Sequence, residues 1–359
     1  MRKTSRGLGG AFRHAARRTL QTLLFPARVP DRRISWAIPA LCALRRIADQ
    51  YNPTVLFSTS PPHSTHLIAT AFKLLTGIPL VIDFRDPWAR NPWSASRNGK
   101  LIQRLDEQLE RFCVSHADQV ILNTPELLES FREHYPPRWQ QKFVVIPNGY
   151  DPQIRSEIEN LTKLHDSSRE PTPLRLCHAG TVYGRRDIRP LIEAVAQLNR
   201  AGQPVVFEQV GWIGNRTEVV KCIERNNAAN FVKLLDQQTH EEALRHMAAA
   251  DVLVVVRQNT PLQTPAKLYE MMLFGKPILA LDDEGATTRF VSDYDLGVVA
   301  DPVNPAAIAQ AIAQVADRNA ALPGPRRSEA LAKFDARDQT KHLAEVLSAA
   351  IESRQSPQR

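Results

Sequence analysis

From Thr54 to Asp301 the sequence keeps one rhythm: a short apolar run, a polar turn, an amphipathic stretch, then another apolar run. Runs this short and this apolar suit strands buried on both faces. Strands separated by helices lie parallel, because a parallel pair needs a crossover connection. The fold class is therefore α/β. The rhythm occurs twice. Its first pass holds TVLFS (54–58), LVIDF (80–84), QVILN (119–123) and FVVIPNGYD (143–151). Helical patterns run from about Ala40 to Gln50, from the Pro61-Pro62 turn to Gly77, over about Gly99–Ser115, and from Thr124 with Pro125 in its first turn. The second pass holds LRLCHAG (174–180), PVVFEQVG (204–211), NFVKLL (230–235), DVLVVV (251–256), PILALD (277–282) and GVVAD (297–301). Its helices fall at 187–200, 216–226, 240–250, 264–274, 285–293 and 304–317, and a last one at about 335–352. The polar stretch 156–173 ends in Pro-x-Pro and reads as a linker. The divisions are thus a basic segment 1–34, a first α/β domain 35–155, the linker, a second α/β domain 174–330, and a closing helix 331–352.

Charge and cysteine usage narrow the class. The chain has 359 residues, the length of two ordinary domains, and its 43% apolar share is enough to fill two cores. The net charge is +8, but residues 1–50 alone carry eleven Lys/Arg against two Asp, a net of +9, so the remainder sums to −1. A nucleic-acid binder spreads cations over its folded surface, with aromatics between them. This chain does not. Leu8, Phe12, Ala15, Ala16, Leu20, Leu23 and Leu24 recur at helical spacing, with Arg13, Arg17 and Arg18 off that stripe. Such a helix lies on an anionic membrane surface or covers a core. Cys42, Cys113, Cys177 and Cys222 form no CxxC pair, so a zinc ribbon and a disulfide scaffold are excluded. No run of 18 apolar residues and no secretory signal is present, which points to a cytoplasmic protein, at most peripheral on the inner membrane face.

Four places carry chemistry. QTPAKLYEMMLFGKPILA (263–280) reads as a helix capped by Thr264, opened by Pro265 and stopped by Gly275. Free N–H groups at such a start attract anions. Lys267 and Glu270 share one face; the cation suits a diphosphate and the carboxylate suits vicinal hydroxyls, unless the two are an ordinary surface pair. Gly180, Thr181, Tyr183, Gly184, Arg185 and Arg186 form a turn at a strand's C-terminal end, where doubly wound sheets bind ligands. Asp83-Phe84-Arg85-Asp86-Pro87-Trp88 follows another strand, either as a reactive loop or as a local ion pair. Ser58-Thr59-Ser60-Pro61-Pro62-His63 reads as a hydroxyl-rich turn that binds a polar ligand or caps a helix. Asp282-Asp283-Glu284 reads as an exposed acidic turn rather than an ion site. His240 and His246 are not in HExxH spacing, and neither a P-loop nor a GxSxG elbow occurs.

Taken in order, STSPPHSTHLIA, DFRDPW, IPNGYD, HAGTVYGRRDIRPLIEA, TPAKLYEMMLFGKPILA and LGVVADPVNPAAIAQAI resemble a retaining glycosyltransferase of the GT-B fold, family four (group 1), in a DFRDPW sub-branch. The resemblance covers about residues 35–350. It implies two Rossmann-like domains facing across a cleft, the second holding a nucleotide-diphosphate sugar and the first mostly the acceptor. It implies no metal and no cofactor beyond the donor sugar nucleotide. Glu270 falls on the family's ribose-binding glutamate and Arg186 on its diphosphate-binding lysine, with Lys267, Thr264, Gly180, Thr181 and Arg185 beside the donor. Thr181 stands where the family has an arginine, leaving Arg185 or Arg189 to compensate, and Leu262 stands where it has a first glutamate. Asp86 and Arg85 are the catalytic candidates; Ser60, His63, Asp83 and Trp88 are the acceptor candidates. Family members open with a strand and a glycine-rich turn. Here a basic helix stands in that place, so the first sheet is expected to lack its first strand.

The chemistry explains these residue types. A departing nucleoside diphosphate gains negative charge, which without a metal must be met by cations and helix N-termini. Arg186, Lys267 and the Thr264 helix start are placed for that. The expected activity is transfer of a sugar, with retention, to a lipid-linked or polysaccharide acceptor. A non-catalytic relative that binds a nucleotide sugar or a partner protein is the alternative, and a nucleotide-sugar epimerase a third.

Overall fold

The computed structural model describes residues 29–166, 173–317 and 323–355. The basic amphipathic stretch expected over 8–24 lies outside the described residues. Two compact units result. One holds the described residues up to Ile121, with Tyr135–Val144 and the chain from Val346; the other holds Leu122–His134 and Val145–Glu345.

The first sheet has the order β1-β2-β3-β4. Its elements are α1 (Ala37–Tyr51), β1 (Leu56–Ser60), α2 (Ser64–Thr76), β2 (Leu80–Phe84), α3 (Pro92–His116), β3 (Gln119–Leu122), α4 (Pro125–His134) and β4 (Phe143–Val145). Strands standing in sequence order make one half of a doubly wound sheet, with no reversal of order among the described residues. Strand β1 runs parallel to β2, with Thr59 opposite Asp83 and Ser60 opposite Phe84.

Two boundaries differ from expectation for physical reasons. Strand β1 starts and ends two residues later than TVLFS, so the hydroxyl-rich "turn" is in fact the end of the strand. Its hydroxyls have partners there: Ser58 Oγ meets His66 Nδ1 at 2.8 Å, and Thr59 Oγ1 donates to Asp83 Oδ2 at 2.7 Å. Helix α2 is capped by Asp31, whose carboxylate accepts from the Ser64 N–H at 2.8 Å and its hydroxyl at 3.0 Å. At Gly99 φ is +67°, so the helical run expected from that residue onward starts after a break in α3. Lysine closes α3: Lys142 Nζ donates to the carbonyls of Val114, Ser115 and Ala117.

The second sheet has six strands in the order β10-β9-β8-β5-β6-β7. They are β5 (Leu174–Ala179), β6 (Val205–Val210), β7 (Val232–Leu235), β8 (Val252–Val256), β9 (Ile278–Leu281) and β10 (Gly297–Ala300). Every neighbouring pair is parallel. Counted from β5, this is the Rossmann order 3-2-1-4-5-6, which reverses between β5 and β8. The connecting helices are α6 (Arg189–Arg200), α7 (Arg216–Arg225), α8 (His240–Ala249), α9 (Ala266–Met271), α10 (Ala286–Asp293) and α11 (Pro305–Ala316), with α5 (Arg155–Asp166) before the sheet. Alternation along β8 feeds two cores. Val252, Val254 and Val256 pack with Leu191 and Ile312, while Leu253 and Val255 pack with Leu244 and Leu268.

The last helix expected at about 335–352 is α13 (Ala336–Gln355), and a short helix, α12 (Arg327–Lys333), precedes it. Tyr150 divides them: its N–H donates to Phe334 O and its O accepts from the Ala336 N–H. The linker reading of 156–173 is corrected over its first part. Residues from Arg155 to Asp166 form α5, and Ile158, fully buried, joins the core of Tyr150, Leu268 and Met272. The segment looked like a linker because one apolar stripe on an otherwise polar 12-residue helix gives little periodic signal.

Ile158→Ala is therefore expected to lower the unfolding free energy of the second unit by about 2–4 kcal/mol, read by urea denaturation. A linker residue would leave the transition unmoved.

Candidate active site

At the reversal of the second sheet, the turn after β5 is held by side chains from three directions. Lys267 Nζ donates to Ala179 O at 2.7 Å, Gln209 Nε2 to Gly180 O at 2.8 Å, and Arg186 Nη1 to Thr181 O at 3.1 Å. Three successive carbonyls are thus pinned. Gly211, at φ +126°, makes room, since a Cβ there would stand 2.7 Å from Gly180 O. The Gly180 N–H donates to Val210 O. Beyond it, Val182 and Ile213 form a parallel bridge that extends β5 and β6.

Both cations of this turn are partly withdrawn from water. Burial lowers the pKa of the Arg186 guanidinium, and its Cζ lies 4.5 Å from the centre of the Tyr183 ring. Burial also lowers that of Lys267, which the Glu270 carboxylate opposes. An anion arriving here meets positive charge that water screens poorly. Arg185 is exposed and, with Tyr183, Arg186, Trp212, Asn215 and Asn259, lines a cavity of about 590 Å³ beside the turn. Arg189 is not a spare cation for this site, because its guanidinium forms a two-pronged pair with Asp187, with Nη2 to Oδ2 at 2.6 Å. Gln258, just past β8, accepts from the Asp187 N–H at 2.7 Å and so ties the β5 and β8 loops together.

The Lys267–Glu270 helix differs from its reading. Helix α9 is six residues long and continues as a 3-10 turn over Met272–Phe274, ending at Gly275 with φ +66°. Pro265, not Thr264, occupies the N-cap, without a side-chain cap. The Thr264 side chain is bonded to that of Tyr269 instead. The first N–H groups of α9 thus have no side-chain cap. Asp282 is buried rather than part of an exposed turn; burial raises its pKa to about 7 against the pull of Arg257. Among the described residues, no group of three or more His, Cys, Asp or Glu is placed to hold a metal ion.

In the first unit, the DFRDPW loop folds back on the end of β1. Arg85 donates from Nε to Ser60 O at 3.3 Å and from Nη2 to Pro61 O at 2.8 Å. His63 Nδ1 meets Ser60 Oγ at 3.1 Å, and its ring stacks on Trp88 with centroids 5.0 Å apart. Ser60 and Trp88 are buried here. Asp83, Asp86 and His63 remain half-exposed. Burial raises the Asp83 pKa against the opposing effects of Thr59 and Arg85.

Two residues that hold this loop were not singled out in the sequence. Asp106 accepts from Trp88 Nε1 at 3.0 Å. Glu110, fully buried, accepts from the Ala89 N–H at 3.0 Å and from Tyr135 Oη at 2.7 Å, and pairs with the Arg90 guanidinium, Nη2 lying 2.8 Å from Oε1. They stand one turn apart on α3, and that spacing of two acids was the available signal.

The sequence matches the family described as Glycosyltransferase Family 4 over residues 5–154 and Glycosyl transferases group 1 over residues 162–330. Solved structures share the fold. Anabaena Alr3699/HepE, solved in complex with UDP, is 20% identical with a TM-score of 0.67, covering 87% of this chain and 82% of its own. Sucrose-phosphate synthase from Thermosynechococcus elongatus is 15% identical with a TM-score of 0.70, covering 89% and 79%. A glycosyltransferase from Rickettsia africae is 12% identical with a TM-score of 0.64, covering 88% and 81%. No curated protein matches the chain. Two tandem α/β units on this pattern are the GT-B fold. The chain belongs to the GT-B glycosyltransferases, with a Family 4 domain followed by a group 1 domain. No described helix is long and apolar enough to cross a membrane.

Three desolvated imidazoles flank these loops, those of His66 and His178 buried and that of His63 half-buried. Desolvation lowers the pKa of His63 to about 4, of His66 to about 3 and of His178 to about 4. The folded values lie below the unfolded one. The stability these groups contribute is therefore present above about pH 6.5 and lost as pH falls toward 4. Their ring-proton NMR shifts are expected to stay flat from pH 8 down to 5. A midpoint near 6.5 for any of them would contradict the packing described.

Proposed function

We propose that this chain moves a sugar from a uridine diphosphate sugar to a lipid-linked or polysaccharide acceptor of the cell envelope, with retention and without a metal ion. The observation that carries the reading is the pair of part-buried cations, Arg186 and Lys267, gripping carbonyls on either side of Gly180 at the reversal of the Rossmann sheet. The uridine assignment is supported by Alr3699/HepE, solved with UDP and with UDP-glucose. The acceptor class is supported by a fold neighbour named a lipopolysaccharide outer core galactosyltransferase, 12% identical with a TM-score of 0.62.

In this reading the bond from the sugar's anomeric carbon to the diphosphate oxygen breaks, and a bond from that carbon to the acceptor oxygen forms on the same face. The acceptor's proton passes to the departing phosphate, so no strong protein base is required. Arg186 and Lys267 stabilise the charge that develops on the leaving group; a cation about 4 Å from a phosphate charge gains about 4 kcal/mol at a part-buried site. Glu270 holds the ribose hydroxyls. Thr181 and Arg185 complete the donor site. Asp86 orients the acceptor hydroxyl, with Asp83 and His63 beside it. The basic residues before Pro26 place the protein on an anionic membrane face.

UDP present at a hundredfold over its dissociation constant is expected to stabilise the folded protein by about 2.7 kcal/mol. Glu270→Ala and Arg186→Ala are expected to abolish that gain, while GDP and ADP give less in the wild type. Release of UDP from UDP-sugars in chelator, with lipid-linked acceptors present, tests the reaction. Absence of any UDP effect overturns the donor reading. Binding without turnover of any UDP-sugar points instead to a non-catalytic relative.

A further inference from the structure

One polar pair lies inside the second sheet. His178 on β5 and Gln209 on β6 are directly opposite in the parallel register, and both are buried. Their neighbours along the strands, Leu176, Phe207 and Val210, are apolar. Burying an imidazole and an amide costs free energy that an apolar pair would avoid, unless every polar atom is matched.

The match has a direction. Gly180 O only accepts, so Gln209 must turn Nε2 toward it, at 2.8 Å. The amide oxygen then faces His178 Nδ1 at 2.7 Å, which must carry the ring proton. Burial, helped by the charges of Lys267 and Arg186, keeps the imidazole neutral by lowering its pKa to about 4. A single chain results: the His178 N–H donates to Gln209, and Gln209 donates to Gly180 O. The Gly180 carbonyl and the Thr181 N–H belong to one planar peptide and point opposite ways. Fixing the carbonyl inward therefore aims the Thr181 N–H outward, on the side away from Gln209. Lys267 and Arg186 fix the flanking peptides in the same manner, at Ala179 O and Thr181 O.

We infer that Gln209, oriented by His178, is a positioning residue that sets the Gly180–Thr181 peptide so that its N–H meets the diphosphate of the donor. The inference rests on the donor reading given above. Gln209 touches no substrate; it acts through the peptide. Its loss leaves the two cations in the sequence but lets the peptide rotate, which turns a carbonyl oxygen toward the phosphates.

The test uses the full chain with UDP and uridine as probes. Gln209→Leu keeps an apolar filling of the strand position, one atom shorter, and removes the donor to Gly180 O. It is expected to weaken UDP binding about tenfold by calorimetry while uridine binding, followed by ligand-observed NMR, stays at the wild-type level. Damage to the fold would weaken both. Should Gln209→Leu fail to fold, His178→Phe keeps the ring volume and frees the Gln209 amide to turn; a loss of about threefold for UDP alone is expected. Gln209→Glu, an acceptor only when ionised, is expected to behave as Gln209→Leu and not to rescue it. Equal UDP affinity in wild type and Gln209→Leu overturns the inference and leaves the donor site standing. Wild-type protein that binds neither UDP nor uridine overturns the donor reading itself.

Discussion

The second unit depends on what happens to three carbonyl oxygens. A strand that ends at a sheet reversal leaves backbone groups unpaired, and carbonyls aimed into that opening would repel a phosphate. Here Lys267, Gln209 and Arg186 each take one, at Ala179, Gly180 and Thr181. The turn is left electropositive. Two of the three donors are themselves cations, so the groups that set the backbone also supply the charge. That economy explains why burial of both is tolerated. Each guanidinium or ammonium loses water but gains a carbonyl, and at Lys267 the Glu270 carboxylate offsets part of the loss.

The loop of the first unit is built on the opposite sign. Its supports are carboxylates, Asp106 and Glu110, one helical turn apart on α3. Glu110 is fully buried yet accepts from an amide and a hydroxyl and is paired with a guanidinium, which offsets the cost of hiding its charge. The loop between them presents Asp86 with Arg85 folded back onto Ser60 O and Pro61 O. The two loops are thus supported by opposite charges, cations at the turn after β5 and carboxylates beneath the DFRDPW loop.

Much of this was legible in the sequence, because burial on both faces of a parallel strand leaves an unbroken apolar run. Leu80–Phe84 and Val252–Val256 are seen almost residue for residue. Arg186 was singled out by the glycine turn after β5, and Lys267 by its spacing to Glu270 at a helix start. What escaped had a common cause, partners far away in the chain. Thr264 has the composition of a cap, but the Tyr269 hydroxyl claims its side chain and Pro265 takes the cap position. Ser58 and Thr59 read as turn residues until His66 and Asp83 are placed beside them. Helix α5 was hidden because its only strong signal is one side, led by Ile158, on a polar background.

Polar residues inside apolar runs were the signal most easily passed over. His178 interrupts LRLCHA and Gln209 interrupts VVFEQV, and neither breaks a strand, because each finds the other across the register. Read singly, each looks like an imperfection in a core. Placed together they form a donor chain that ends on one specific carbonyl, and the two strands around it need no such chain to pair. A core that needs only packing can use apolar side chains throughout and lose nothing. One that must aim a particular N–H cannot, since apolar contact has no direction. The presence of direction in the middle of β5 and β6 is therefore an argument about the turn above them rather than about the sheet they belong to.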